Sequence, residues 1–101
     1  MQAREITVKM DHATETTIRR ALSEHIDTLT DRARGDSGHA RAAVFDIVLD
    51  GIGDGYLDPD AYCEDDVRDM ITAVRARIEV ADAQYRAALD AALMVLLRAL
   101  A

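Results

Sequence analysis

One short segment near the start of this 101-residue chain constrains the fold more than any other, because residues 5–10 alternate strictly between polar and apolar side chains. Such alternation predicts a strand with two unlike faces, an apolar one of Ile6, Val8 and Met10 and a polar one of Glu5, Thr7 and Lys9. A lone strand leaves its backbone N–H and C=O groups without partners. Because no later segment shows a convincing second strand, we expect pairing with the same segment of a second copy across a two-fold axis.

The remainder of the chain favours helix, since it is rich in alanine, arginine and leucine and holds a single proline. A first helix is predicted over about residues 12–34, with Asp11 as its N-cap. Its apolar stripe has helical spacing and ends at a Gly/Ser turn over residues 35–38. The stripe comprises Ile18, Ala21, Leu22, His25, Ile26, Leu29 and Ala33.

A second helix is predicted over about residues 39–50. We place Ala40, Ala43, Val44, Ile47 and Val48 on its inner face, which Phe45 and Leu49 widen. A glycine-rich acidic turn follows, and Asp58 and Pro59 are suited to the N-cap and first position of the next helix.

Residues 60–101 contain neither glycine nor proline, so one or two long helices are expected there. Apolar residues recur at spacings of four and three from Val67 to Ala92, which is typical of a helix-packing seam. A break near residues 80–82 would give a helical hairpin, whereas an unbroken helix would extend well beyond a compact domain. We prefer a hairpin or a pair of helices formed by dimerisation.

Charge and cysteine content narrow the class of protein. The net charge is −7, of which residues 1–50 carry −2 and residues 51–101 carry −5. This acidity argues against non-specific attraction to nucleic acid, although the nearly balanced first half leaves room for a local basic surface. A lone cysteine, Cys63, fits a reducing compartment. No secretory leader or membrane span is evident, so we expect a soluble cytoplasmic protein.

The order of strand, helix, Gly/Ser turn and helix over about residues 4–50 resembles the ribbon-helix-helix family of DNA-binding proteins. The resemblance is carried by residues 6–10, 26–29, 35–37 and 43–49. It implies a mainly α fold with a dimeric strand-helix-helix module over residues 1–53. An acidic helical region over residues 54–101 would then serve oligomerisation or partner binding.

The resemblance also implies roles for particular residues. In that family the paired strands enter the DNA major groove and the N-terminus of the second helix holds a phosphate. The DNA-binding candidates are therefore Arg4, Glu5, Thr7, Lys9, Ser37, Gly38 and His39. The expected dimer core consists of Ile6, Val8, Met10, Val44, Ile47 and Val48.

Other chemistry is weakly supported by the sequence. Residues 50–58 partly match an EF-hand loop, but Ile52 occupies a ligand position and Ala61 replaces the bidentate glutamate. The three histidines have no metal-ligand spacing, and we expect His25 to be packed at the edge of the core. We therefore predict no enzyme activity, no metal and no cofactor.

Two functional classes remain open. The first is a homodimeric DNA-binding regulator of the repressor or antitoxin type. The second is a small acidic helical protein that binds or inhibits a protein partner, as a nucleic-acid mimic would. Its candidate contact residues are acidic and lie at the start of the C-terminal region: Asp58, Asp60, Glu64, Asp65, Asp66 and Asp69.

Overall fold

A computed structural model describes residues 5–32, 36–52 and 61–101. These residues form four helices and one short antiparallel sheet of two strands, so the fold is mainly helical. The elements in chain order are β1 (Glu5–Thr7), α1 (His12–Arg32), α2 (Asp36–Gly51), β2 (Ala61–Cys63), α3 (Glu64–Ile78) and α4 (Ala83–Leu100).

The β1 strand finds its partner within the same chain. It pairs antiparallel with β2, in a register that places Glu5 opposite Cys63, Ile6 opposite Tyr62 and Thr7 opposite Ala61. The expectation that no second strand exists, and that a second copy must supply one, is therefore wrong. The Ala-Tyr-Cys strand is too short to show alternation, and it lies where the composition predicts helix.

Helix α1 is the central helix, and its predicted apolar stripe is confirmed as far as Leu29, while Ala33 lies outside the described residues. Ile18, Ala21 and Leu22 are fully buried, while Ile26 and Leu29 pack against the core from its margin. The Asp11 side chain accepts a hydrogen bond from the Thr14 backbone N–H at 2.8 Å, as an N-cap does. This hydrogen bond lowers the pKa of the Asp11 carboxyl.

Helices α3 and α4 form a hairpin, which decides between the two C-terminal arrangements left open by the sequence. The chain turns over residues 79–82, and Asp82 caps α4 by accepting from the Tyr85 backbone N–H at 2.8 Å. The hairpin buries Val67, Met70 and Val74 of α3 against Leu89 and Leu96 of α4. The apolar seam is thus buried within one chain, between the two helices of the hairpin and against α1.

A polar network ties α1 to both helices of the hairpin. The Tyr85 hydroxyl of α4 donates to Glu24 Oε1 of α1 at 2.8 Å. Burial and this hydrogen bond both raise the pKa of the Tyr85 hydroxyl. Arg77 of α3 lies 3.7 Å from the same Glu24 oxygen, and its buried Nε has no hydrogen-bond partner among the described residues. A single carboxylate on α1 therefore faces groups from α3 and α4.

Candidate functional site

The exposed face of β1 and the segment after it carries the polar residues that the alternation predicts. Glu5, Thr7 and Lys9 are exposed, whereas Ile6 and Val8 are almost fully buried. Ile6 and Val8 belong to the core cluster of this chain, and Met10 packs against it. Their expected role as a dimer core is therefore corrected, because the helices of the same chain already cover them.

Folding brings a second cation beside the strand. Thr7 and Lys9 line a shallow groove of about 360 Å³ together with Val95, Arg98 and Ala99 of α4. Lys9 and Arg98 are both exposed, and none of the described residues lining this groove is acidic. In a chain with a net charge of −7, this groove is a local cationic surface. It is suited to contact an anionic group such as a phosphate.

The neighbouring start of α3 has the opposite charge. Asp65 is exposed, whereas Asp66 and Asp69 are half-buried, and burial is the main cause that raises the pKa of both half-buried carboxyls. Repulsion from neighbouring aspartates adds to the effect. Glu64 forms an ion pair with Arg68 one turn later, with a separation of 3.0 Å. Because β2 leads directly into α3, this negative charge lies beside the sheet and opposes the approach of DNA.

A second surface is the outer face of α2. Ala42, Phe45, Val48 and Ile52 turn into the core, and Leu49 is half-buried beside them. The opposite stripe is exposed, with Val44 at 50% and Ile47 at 72% exposure. Ala40 and Ala43 are exposed on the same side, at the helical spacing that continues the stripe. We call Ala40, Ala43, Val44 and Ile47 the α2 stripe.

The inner face of α2 thus differs from the predicted one. Of the residues expected inside, Val48 is buried, whereas the whole α2 stripe faces outward. The reason is that α2 is apolar around much of its circumference, so periodicity alone does not determine which side meets α1. Val48 is consequently not available to a second copy, but Val44 and Ile47 are.

The remaining predicted site residues are only partly placed. Ser37, Gly38 and His39 lie in the first turn of α2, which begins at Asp36 and therefore earlier than expected. Their backbone is helical there, while their side chains lie outside the described part, so the phosphate site stays a prediction. Arg4, Asp58 and Asp60 also lie outside the described residues.

His25 lies at the edge of the core, as expected. Its ring meets Phe45 edge-to-face, with centroids 4.7 Å apart, and so joins α1 to α2. Burial lowers the pKa of His25, with further lowering from Arg41 and Arg77. Within the described ranges, no group of three His, Cys, Asp or Glu residues is arranged to hold a metal ion. None of the helices described has the length and apolar character required to cross a membrane.

Two features of these surfaces escape sequence reasoning. Arg98 joins Lys9 only through the packing of α4 on β1, and no local pattern signals a contact between residues so distant in sequence. The exposure of the α2 stripe depends on which face of α2 packs on α1. Comparison with known proteins adds no further assignment, since no family model, curated protein or solved structure matches this chain.

Proposed function

We propose that this protein acts as a small helical interaction module that self-associates through the α2 stripe. The observation that supports this most directly is the exposure of Val44 and Ile47 on a helix whose opposite face is already buried. Large aliphatic side chains exposed side by side on one helix face are typical of a protein-binding surface. The function is therefore binding, with the protein partner recognised by shape and apolar contact.

The side-chain sizes along the α2 stripe favour a second copy as the partner. The two alanines occupy its N-terminal part, and Val44 and Ile47 occupy its C-terminal part. In an antiparallel pair across a two-fold axis, the alanine end of one stripe faces the Ile47 end of the other. Large side chains then fit beside small ones, whereas a parallel pair would place alanine on alanine and leave gaps.

The expected affinity of this dimer is modest. Fully burying a valine or isoleucine side chain contributes about 1.5–3 kcal/mol, and both residues are already partly covered in the monomer. Association costs at least about 4 kcal/mol in lost translational and rotational freedom. The dimer should therefore form in the micromolar range or above, and its mass must be measured over a concentration series.

The test is the molar mass in solution, measured by light scattering from low micromolar to millimolar concentration. The unchanged protein should approach twice the monomer mass as concentration rises, and Ile47→Glu should remain monomeric because a carboxylate would be buried in the contact. Val80→Glu is the matched control, since Val80 is 65% exposed but lies in the α3–α4 turn. A monomer at every concentration, or equal effects of both variants, would contradict the proposal.

A second candidate function is DNA binding by a regulator of the ribbon-helix-helix type, and the cationic groove at Thr7, Lys9 and Arg98 favours it. In this form the two strands of the ribbon would come from one chain. A gel-shift assay with duplex from the upstream region of its own gene should then show binding that weakens steeply with salt. Lys9→Ala and Arg98→Ala should each reduce the shift, while Arg75→Ala, at an exposed position of α3, should not. Absence of binding at low salt would exclude this candidate.

A further inference from the structure

The outward face of α1 carries a polar strip that belongs neither to the cationic groove nor to the α2 stripe. Thr16, Arg19, Arg20 and Ser23 recur at the spacing of one helix face, opposite the buried Ile18 and Leu22. This strip lines a groove of about 610 Å³ together with Leu49, Asp50 and Ile52 near the end of α2. We call this space the α1 groove. Its volume lies in the range of about 300–1,000 Å³ that small-molecule sites occupy.

A second, smaller space lies next to the α1 groove. This space of about 350 Å³ is lined by Thr16 and Arg20 again, and by Asp82, Gln84 and Tyr85 at the start of α4. Thr16 and Arg20 are common to the two spaces, so both spaces border the same turn of α1.

Arg20 is held in position before any ligand arrives. Its guanidinium carbon lies 3.7 Å from the centre of the Tyr85 ring, and its Nε lies 3.5 Å from Glu24 Oε1. These contacts restrict a side chain that would otherwise lose considerable conformational freedom on binding. Arg19 is exposed and forms no ion pair with any residue that the structure describes. One guanidinium that is held in place and one that has no ion pair with the described residues therefore line the same groove.

The chemistry of the larger space matches a carboxylate attached to an apolar body. Two guanidinium groups supply donors in the planar geometry that pairs with carboxylate oxygens, and the Thr16 and Ser23 hydroxyls supply more. Asp50 is the one acidic residue among the described lining residues there, and Glu24 already pairs with Arg20, so Arg19 supplies the guanidinium that is open to a ligand carboxylate. Half-buried Leu49 provides an apolar wall beside the arginines.

We propose that the α1 groove binds a small carboxylic acid, with its carboxylate on Arg19 and Arg20 and its hydrocarbon part against Leu49. The site does not depend on self-association, because Arg19 and Arg20 belong to α1 and not to the α2 stripe. Binding there stabilises the contact between α1 and the end of α2, since residues of both helices line the groove.

The test follows backbone amide shifts of the full chain during titration with butyrate, acetate, butylammonium and inorganic phosphate. Butyrate should shift the amides of Thr16, Arg19, Arg20 and Ser23 in a saturable manner. It should bind about fourfold or more tightly than acetate, which lacks the methylenes that Leu49 would cover. Butylammonium should not bind, because it has the hydrocarbon part without the negative charge.

Substitutions at Arg19 and Arg75 distinguish binding in the α1 groove from a general attraction of anions to any exposed arginine. Arg19→Ala should weaken butyrate binding about tenfold or more without altering the fold, because the Arg19 side chain is exposed. Arg19→Lys should retain part of the affinity through its charge, and Arg75→Ala should retain all of it. Phosphate binding as tight as butyrate, shifts centred on Thr7 and Arg98, or insensitivity to Arg19→Ala would each overturn the proposal.

Discussion

Tyr85 shows how a single hydroxyl joins two helices of this fold. Its hydrogen bond to Glu24 connects α4 to α1, while its ring supports Arg20. Tyr85→Phe removes the hydroxyl and keeps the ring, so we expect the free energy of unfolding to fall by about 1–2 kcal/mol. Urea denaturation monitored by circular dichroism measures this difference.

A double-mutant cycle with Glu24→Gln identifies the interaction responsible for that loss. If the hydroxyl acts through the Glu24 carboxylate, Tyr85→Phe should cost less in the Glu24→Gln background than in the original chain. Equal costs in both backgrounds would show that the hydroxyl stabilises the fold by another route.

His25 makes the stability of the α1–α2 contact depend on pH. Packing against Phe45, with Arg41 and Arg77 nearby, lowers the pKa of His25 below its ordinary value of 6.5. The folded state therefore favours the neutral ring, so stability is complete above about pH 6.5, falls as the pH drops from there to the lower folded pKa, and levels off below it. Melting temperatures measured between neutral and mildly acidic pH should decrease accordingly.

The matched variants for this effect are His25→Gln and His12→Gln, since His12 is exposed at the start of α1. The first should flatten the decrease below pH 6.5, whereas the second should preserve it. Asp66 and Asp69 act with the opposite sign, because their raised pKa values favour the folded state as they become protonated. An unchanged pH profile in His25→Gln would assign the effect to other groups.

At the scale of elements, the segment of β1 and Val8 tests whether the N-terminal strand packs within its own chain. Val8 follows β1 and is 1% exposed in a core made by its own chain. Val8→Ala should therefore reduce the free energy of unfolding by about 2 kcal/mol, through lost burial and the cavity left behind. The reduction should be the same at every protein concentration, and the molar mass should not change.

The neighbouring Thr7→Ala is the control for that variant, since Thr7 is exposed and its loss should stay within about 0.5 kcal/mol. A drop in molar mass caused by Val8→Ala would instead show that this segment packs against a second copy. Chemical denaturation at two protein concentrations, combined with light scattering, distinguishes the two outcomes.

Strong periodicity determines which elements the sequence can predict. Helix α1 has one apolar stripe and a cap at Asp11, and spacing and residue type predict both. The sequence leaves open whether residues 60–101 form a hairpin or one long helix. The hairpin with a turn before Asp82 forms because it buries the apolar residues of both helices within one chain. The three-residue strand β2 has no periodicity, and the orientation of α2 depends on two competing apolar faces. Both become determined only when the elements pack together.

At the scale of the whole molecule, the surfaces of this protein differ in how far the sequence predicts them. Alternation alone predicts that Thr7 and Lys9 are exposed, but Arg98 joins them only in the folded chain. The α1 groove likewise combines a strip on α1 with residues near the end of α2. The polar strip can be recognised in the sequence by its helical spacing. The residues from other elements that complete the groove cannot.

Self-association through the α2 stripe makes the stability of the whole molecule depend on concentration. Only the folded chain forms the dimer. Mass action should therefore raise the melting temperature of the unchanged protein as its concentration increases. Ile47→Glu should melt at one temperature throughout the series, and Val80→Glu should follow the unchanged protein. Differential scanning calorimetry over a hundredfold range of concentration measures this. A melting temperature independent of concentration in the unchanged protein would exclude a dimer coupled to folding, even if the α2 stripe bound a different protein.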